Sequence, residues 1–259
     1  MLITIIVPVK NEENNIIQAL DKLVIQEQPI EIIVIDAEST DNTQQFVQKY
    51  EKKYPFIKLF IKGGKRGVSM NYAIEQSKGQ AIAFIGADDQ AQYDWIHNVR
   101  NALKKNHDII IGQCKIKGKK KFKLDRVKIF YKDFDISAPG TNTTYKKEIL
   151  QKIGGFDLRF VTAEDIDLNL RAVDANYKLF YEKKAIVYRY LRKNSFDLMK
   201  QSFWNGYGRK QLAMKHGRLW KKYSPQQTFL THFSLYGLIR LLFGFFGYAT
   251  CKISGGGMK

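Results

Sequence analysis

Cysteine is nearly absent from this 259-residue chain: Cys114 and Cys251 stand far apart, in no CxxC or Cys/His spacing. That excludes a disulfide framework, offers no zinc site and makes a reducing cytoplasm the expected compartment. Proline occurs five times, and no low-complexity linker or internal repeat is visible. A basic leader with a small-residue cleavage site is also missing. The first apolar run, residues 2–9, is short and passes into Lys10-Asn11-Glu12-Glu13, which reads as a strand and a loop rather than a signal peptide. Acidic residues are scarce in the second half. Residues 1–99 hold ten Lys/Arg against thirteen Asp/Glu, and residues 100–259 hold thirty-three against twelve, so the net charge of +18 is all C-terminal. Such a surface seeks anions, whether nucleic acid, lipid headgroups or phosphorylated substrates, and charge alone does not choose among them.

What is present is a hydrophobic fraction of 44%, enough at this length for one substantial core with an appendage. Residues 2–9, 31–36, 57–61, 81–85 and 109–112 are short apolar or β-branched runs that predict strands. Between them, Ile16, Ile17, Leu20, Leu23 and Val24 recur at helical spacing, and residues 69–77 predict another helix. Strands alternating with helices imply an α/β fold with a mainly parallel sheet, in which ligands bind beyond the carboxyl ends of the strands. Polar clusters fall at those ends: Lys10 to Glu13, Asp36 to Asp41, and Asp88-Asp89. Asp41 is expected to start a helix through an Asx turn. A later helix is expected from Glu164, with Glu164 and Asp165 in the first turn, where the helix dipole favours carboxylates.

The order of Val7-Pro8-Val9-Lys10-Asn11-Glu12, Val34-Ile35-Asp36-Ala37-Glu38-Ser39-Thr40-Asp41, Ile85-Gly86-Ala87-Asp88-Asp89 and Ala163-Glu164-Asp165 resembles the family 2 glycosyltransferases of the GT-A fold, over roughly residues 3–210. No one block is decisive, since carboxylates at strand ends are common; their order and separation carry the likeness. The resemblance implies an inverting transfer of a sugar from a UDP- or GDP-sugar donor. It places Pro8, Asn11, Glu12, Asp36 and Glu38 around the nucleotide, with Glu38 where relatives have an aspartate or glycine. It places Lys65, Arg66 and Asn71 before the metal strand, facing the donor phosphates. A diphosphate leaving group calls for a divalent cation, Mg²⁺ or Mn²⁺, held by carboxylate oxygens. In the family a DxD motif supplies them. Here Gly86 occupies its first position, Asp88 its last, and Asp89 follows, so Asp88 and Asp89 are the candidate ligands. Asp165 matches the family's catalytic base, which takes the proton of the acceptor hydroxyl, with Glu164 beside it. Gly140, Asn142, Gly155, Gln201 and Trp204 fall in segments that relatives use on the acceptor side. The QxxRW motif of processive relatives is not met: Gln201 is present, but Trp204 and Asn205 stand where Arg and Trp would be, so a non-processive enzyme is expected.

The expected division is a catalytic domain over residues 1–180 and a basic helical extension over 181–259. Residues 182–222 hold twelve Lys/Arg against two acids, interleaved with Tyr188, Tyr190, Phe203, Trp204, Tyr207 and Trp220. That pattern suits a membrane interface. Residues 229–250 follow as a mainly apolar stretch, but Arg240 near its middle disfavours a single span, so a helix lying in the interface or docked on the catalytic domain is preferred. A lipid-linked acceptor at the cytoplasmic face of the cell membrane is the consequent expectation. Two other readings compete. One is a nucleotide-sugar-binding protein without activity, motivated by Gly86. The other is a nucleic-acid-binding protein, which is not favoured because no RNP, helix-turn-helix or KH signature is present.

Overall fold

The computed structural model of the protein describes residues 1–117, 128–190, 195–217 and 235–258. Most of the basic stretch 115–128, together with Trp220, Lys221, Lys222 and residues 229–234, falls outside the described residues. In chain order the first elements are β1 (Ile3–Val9), α1 (Ile16–Val24), β2 (Ile30–Asp36), α2 (Thr43–Lys53), β3 (Ile57–Ile61), α3 (Arg66–Gln76), β4 (Ala81–Phe84), β5 (Asp89–Ala91), α4 (Trp95–Lys104) and β6 (Ile109–Lys117). There follow β7 (Phe130–Tyr131), β8 (Phe134–Asp135), β9 (Thr143–Lys146), α5 (Lys147–Lys152), α6 (Glu164–Asp174), β10 (Leu179–Tyr190) and α7 (Ser195–His216). The last helix, Leu235–Ser254, is termed α8 and leads into a 3₁₀ turn, Gly255–Gly257.

By contact density the chain forms two compact units that do not follow sequence order. The first comprises Met1–Lys117, Pro139–Phe156 and Arg171–Tyr190 and contains the whole eight-stranded sheet, in the order β3-β2-β1-β4-β9-β6-β10-β5. Its N-terminal half is parallel: β1 pairs with β2 and β4, and β2 with β3. The reason is visible in the sequence. Ile3, Ile5, Ile6, Val7, Ile32, Ile33, Val34 and Ile35 are all buried, and a strand apolar on both faces requires cover on both faces. Helix α1 supplies part of that cover through Ile16, Ala19, Leu20 and Leu23, a stripe at i, i+3, i+4 and i+7.

Three strands were not expected from periodicity. β9 is only four residues, Thr-Thr-Tyr-Lys, and wedges antiparallel between β4 and β6. β5 is three residues, beginning at Asp89, and pairs antiparallel with β10. β10 has three consecutive charged residues, Glu182, Lys183 and Lys184, in its middle and lies beside β6. All three derive their stability from neighbours far away in sequence, which local pattern does not report. The helix expected at 69–77 begins earlier, at Arg66, because Lys65 is extended and caps it, and Gly67 is buried inside its first turn.

The second unit comprises Gly118–Ala138, Asp157–Leu170 and Leu191–Lys259, within which the described elements are the β7–β8 pair, the first turns of α6, and helices α7 and α8. Helices α7 and α8 cross with backbone touching backbone. A Cβ on Gly206 would collide with the Gly244 carbonyl, and one on Gly247 with the Phe203 carbonyl. Such glycine-lined crossings trade side-chain packing for very close axes. The other face of α8 carries Leu238, Leu241, Leu242, Phe245, Phe246 and Ile253, all exposed, with Phe245 at 67% and Ile253 at 87%. Among the described residues no helix is long and apolar enough to cross a membrane.

Candidate active site

The carboxyl ends of β1 and β2 are tied together by the side chains of the loops that follow them. Asn11 Oδ1 accepts from the Thr40 N–H at 2.9 Å, and the Asn11 N–H donates to Ser39 Oγ at 2.8 Å. The Glu12 N–H donates to Thr43 Oγ1 at 2.8 Å, and Glu12 Oε2 accepts from Asn15. Asp41 forms the expected Asx turn, accepting from the Thr43 N–H at 3.0 Å, and its second oxygen takes the Glu13 N–H; burial opposes its charge, but hydrogen bonds from the Thr43 hydroxyl, then from the Thr43 and Glu13 N–H groups, hold it below the ordinary carboxylate pKa. Asn11 and Glu38 both adopt left-handed backbone, at φ 55° and 60°. Strain of this kind costs roughly 1–3 kcal/mol per residue and persists where the surroundings fix it. Asp36, at the last position of β2, is fully buried; Oδ1 accepts from the Ser39 N–H at 2.6 Å and from Gln44, whereas Oδ2 has no hydrogen-bond partner among the described residues. A buried orphan oxygen of this sort points to a donor that the protein does not itself provide. Pro8 is half-buried within β1 opposite Ile35, and the exposed Glu38 carboxylate lies over Gly63, so that a Cβ there would require the Glu38 side chain to move.

At the end of β4 the chain turns through Gly86-Ala87-Asp88 into β5. A Cβ at Gly86 would lie 2.7 Å from Asp88 Oδ1 and 3.2 Å from Asp89 Oδ2, so the missing side chain is what lets the two carboxylates fold back over the turn. The two carboxylates differ sharply. The side chain of Asp89 is fully buried and gripped by Arg189 through both oxygens, Nε to Oδ1 and Nη2 to Oδ2, each at 2.8 Å. Thr141 Oγ1 donates to the same Oδ2 at 2.5 Å and accepts the Gly86 N–H at 3.2 Å. Burial opposes the charge on Arg189, but hydrogen bonds and charge from Asp89, with Asp88 beyond, hold its pKa above the ordinary arginine value. Asp88 is half-exposed, and among the described residues no group donates a hydrogen bond to it. Of the two, Asp88 is therefore the carboxylate left available to a cation, while Asp89 is held in the buried pair with Arg189. No cluster of three or more His, Cys, Asp or Glu suited to a metal occurs among the described residues. One open carboxylate fits a cation whose other ligands are diphosphate oxygens and water, as hard, oxygen-seeking Mg²⁺ and Mn²⁺ allow.

Several residues expected to touch substrate are committed to the protein. Asn142, left-handed at φ 59° and buried, accepts from the Trp95 indole at 2.7 Å and donates to the Ala185 carbonyl at 3.0 Å, while its backbone bonds Phe84 and Gly112. Asn71 clasps the backbone of Phe156 in both directions, each at 2.8 Å, directly beneath Gly155 at φ 61°. Gly155 in turn offers its carbonyl to Arg171 at 2.6 Å. Both amides hold loops rather than presenting open donors. Gly140 is half-buried beside Thr141, and Lys65 and Arg66 are exposed at the N-terminus of α3.

In the second unit, Glu164 and Asp165 stand in the first turn of α6 as expected, Glu164 buried and Asp165 half-exposed. The preceding Ala163 is left-handed at φ 64°, an uncommon conformation for a residue with a Cβ. Asp157 opens this segment, and hydrogen bonds from Arg159 and then Lys215, against burial, hold its carboxyl well below the usual carboxylate range. Gln201 and Trp204 lie on α7, Gln201 exposed and Trp204 edge-on to Phe203 and Tyr207 at 5.4 and 5.5 Å. Arg189, Asp157, Asp167, Gln211 and Lys215 were not singled out from sequence. Arg189, Gln211 and Lys215 sit in the basic stretch 182–222, which reads as surface, and nothing local marks a Lys or Arg as buried.

Known proteins resemble this chain in sequence and in fold. The probable glycosyltransferase YdaM of Bacillus subtilis is 28% identical over 212 residues, spanning 72% of this chain; the match spans 50% of YdaM, so the chain covers half the length of that relative. The mannosyltransferase PcManGT of Pyrobaculum calidifontis, solved with GDP-Man and Mn²⁺, superposes with a TM-score of 0.67 at 17% identity, covering 98% of this chain and 75% of that one. Staphylococcus aureus TarS 1-349, solved with UDP-GlcNAc, gives 0.60 at 17% identity, covering 98% and 91%. These likenesses establish the GT-A fold, its mainly parallel sheet flanked by helices. The sequence model of glycosyl transferase family 2 matches residues 4–164, from the first strand to the first residue of α6, and the chain belongs to that family.

Proposed function

We propose that the protein is a metal-dependent, inverting glycosyltransferase that takes a sugar from a UDP- or GDP-sugar and passes it to a lipid-linked or glycan acceptor at a membrane surface. The observation that carries this reading is the contrast at the end of β4: Asp89 locked by Arg189 and Thr141, with Asp88 beside it left open. Asp88 would hold Mg²⁺ or Mn²⁺, whose positive charge would offset the negative charge developing on the leaving diphosphate oxygens. Asp36 receives the nucleoside, its unpartnered Oδ2 meeting an N–H or O–H of the base or ribose. Asn11, Glu12 and Glu38 shape that cradle, and Lys65 and Arg66 add positive charge toward the phosphates. Asp165 accepts the proton of the attacking acceptor hydroxyl, and its position relative to that hydroxyl provides its effect. Gly140, Gly155, Gln201 and Trp204 shape the acceptor side, with Asn142 and Asn71 bracing the loops. The membrane part rests on the exposed apolar face of α8 and on the C-terminal excess of cations, which suit a helix lying in an anionic interface.

The test is a pair of variants. Asp88→Ala should fold normally but lose the Mn²⁺-dependent part of its affinity for UDP or GDP. Asp165→Asn should keep that affinity and lose turnover by about two or more orders of magnitude. Nucleotide affinity in Asp88→Ala that still responds to Mn²⁺ as in the wild type, or full turnover in Asp165→Asn, would remove the corresponding assignment.

A further inference from the structure

Helix α7 presents a single stripe to the segment that carries Glu164 and Asp165. At Gly208 the approach is so close that a Cβ would lie 2.8 Å from the Ala163 Cβ and 2.8 Å from Thr162 Cγ2. Next along the same face, Gln211 is fully buried, and its amide serves three backbone groups at once. The Val161 N–H donates to Oε1 at 3.1 Å, while Nε2 donates to the Arg159 carbonyl at 3.2 Å and to the Gly256 carbonyl at 2.6 Å. One turn further, Lys215 Nζ donates to Asp157 Oδ2 at 2.7 Å and to Asp167 Oδ1 at 2.6 Å, and His216 Nε2 lies 2.7 Å from that same Asp167 oxygen. Positions 208, 211 and 215 share one helix face, and their contacts bracket residues 157–167 from end to end.

A stripe whose only task was to fill space would be apolar. Here, beyond Gly208, the stripe holds a buried glutamine and a largely buried lysine, and these two bond irregular backbone and carboxylates in the segment around Asp165. Only an amide side chain can accept from one N–H and donate to two carbonyls; methionine matches its shape and can do neither, and glutamate would set a carboxylate against two carbonyl oxygens.

We propose that Gln211, assisted by Lys215, is a positioning residue for the Asp165 carboxylate: α7 fixes the path of residues 159–161 and bridges Asp157 to Asp167, and so sets where the base stands. This rests on the reading of Asp165 as the base. Because a displacement of about 1 Å at a reacting group costs on the order of 100-fold in rate, disrupting the stripe damages turnover without touching the nucleotide cradle.

The experiment uses the full chain carrying Gln211→Met, Lys215→Met or Lys215→Arg, with hydrolysis of GDP-mannose and of UDP-N-acetylglucosamine in Mn²⁺ as the reaction. In Gln211→Met, amide hydrogen exchange across residues 158–166 should quicken about tenfold or more, while that of β1, β2 and β4 stays unchanged. The kcat should fall about 100-fold with the donor KM within about twofold. Lys215→Met should behave alike, and Lys215→Arg, which restores the two-carboxylate bridge, should recover to within about threefold. In an Asp165→Asn background, Gln211→Met should add less than about a twofold loss, since its effect passes through Asp165. A folded Gln211→Met enzyme with wild-type kcat, or an equal further loss on top of Asp165→Asn, overturns the proposal. Full turnover in Asp165→Asn alone overturns the assignment of the base instead. Where the wild type hydrolyses neither donor, or Gln211→Met does not fold, hydrogen exchange in the Lys215 pair decides: unchanged exchange of residues 158–166 in a folded Lys215→Met overturns the positioning role.

Discussion

Replacing Arg189 by methionine would test the strut behind the candidate metal ligand. The substitution keeps most of the aliphatic volume of the side chain and removes the guanidinium that holds both oxygens of Asp89 at 2.8 Å. Breaking a buried pair by deleting one partner costs about 3–5 kcal/mol, because the surviving charge is left uncompensated. The Asp89 side chain is fully buried, which argues for the upper end, whereas that of Arg189 is 37% exposed, which lets water relieve part of the loss. The Thr141 hydroxyl also remains. A net loss of about 3 kcal/mol is the resulting expectation. At about 2–4 °C per kcal/mol for a chain of this size, Tm should drop by roughly 6–12 °C in thermal melts followed by circular dichroism. The Mn²⁺-dependent affinity for UDP and GDP should weaken as Asp88 loses its support. Combining Arg189→Met with Asp89→Asn should recover about 1–3 kcal/mol of the loss, since no buried charge is then stranded. An Arg189→Met protein that melts within about 1 °C of the wild type would refute the reasoning, because the pair would then contribute no more than an exposed one.

Two further outcomes follow from the second unit. The carboxyl of Asp157 is held below its unfolded value by Arg159 and Lys215, so its contribution is present above about pH 4 and is lost as pH falls through the folded value; Asp157→Asn should therefore melt lower than wild type at pH 7, with the gap closing progressively below about pH 4. On α8, Leu242 and Phe245 are 53% and 67% exposed, and burial of their apolar surface in a bilayer should contribute about 3 kcal/mol together, so Leu242→Glu with Phe245→Glu should weaken salt-resistant binding to phosphatidylglycerol vesicles about 100-fold in a sedimentation assay; binding unchanged by the pair would place the membrane contact elsewhere.

Strands β1, β2 and β4 of the parallel half were legible because they are buried on both faces and read as short, mainly apolar runs. The polar residues after β1, β2 and β4 fall at carboxyl ends, as the alternation of strands and helices implied. What pattern does not convey is how these residues divide their work. Asp88 and Asp89 are identical letters, yet Asp89 is buried in an ion pair and Asp88 is left half-exposed, because β5 pairs with β10 and brings Arg189 across a separation of a hundred residues. Asn71 and Asn142 looked equally suited to substrate, but the fold spends both on backbone groups of distant loops. Gly86 looked like a lost ligand; the structure assigns it a steric reason, since a Cβ there would press on Asp88. The same limit applies to α7, whose basic and aromatic residues suggested only a surface, although Gln211 and Lys215 turn inward to bind the segment before Asp165. The contact-based units likewise group residues 157–170 with the C-terminal helices, an association that a division at residue 180 in sequence order does not contain.

The most direct measurement is the anomeric configuration of the sugar released when the full chain is incubated with GDP-mannose or UDP-N-acetylglucosamine and Mn²⁺, followed by proton NMR before mutarotation. Both donors are α-linked, and attack from the face opposite the diphosphate, with Asp165 as base, predicts the β-anomer as first product, with release abolished by chelating the metal. First release of the α-anomer, or release that persists undiminished without a divalent cation, would contradict the inverting, metal-dependent mechanism.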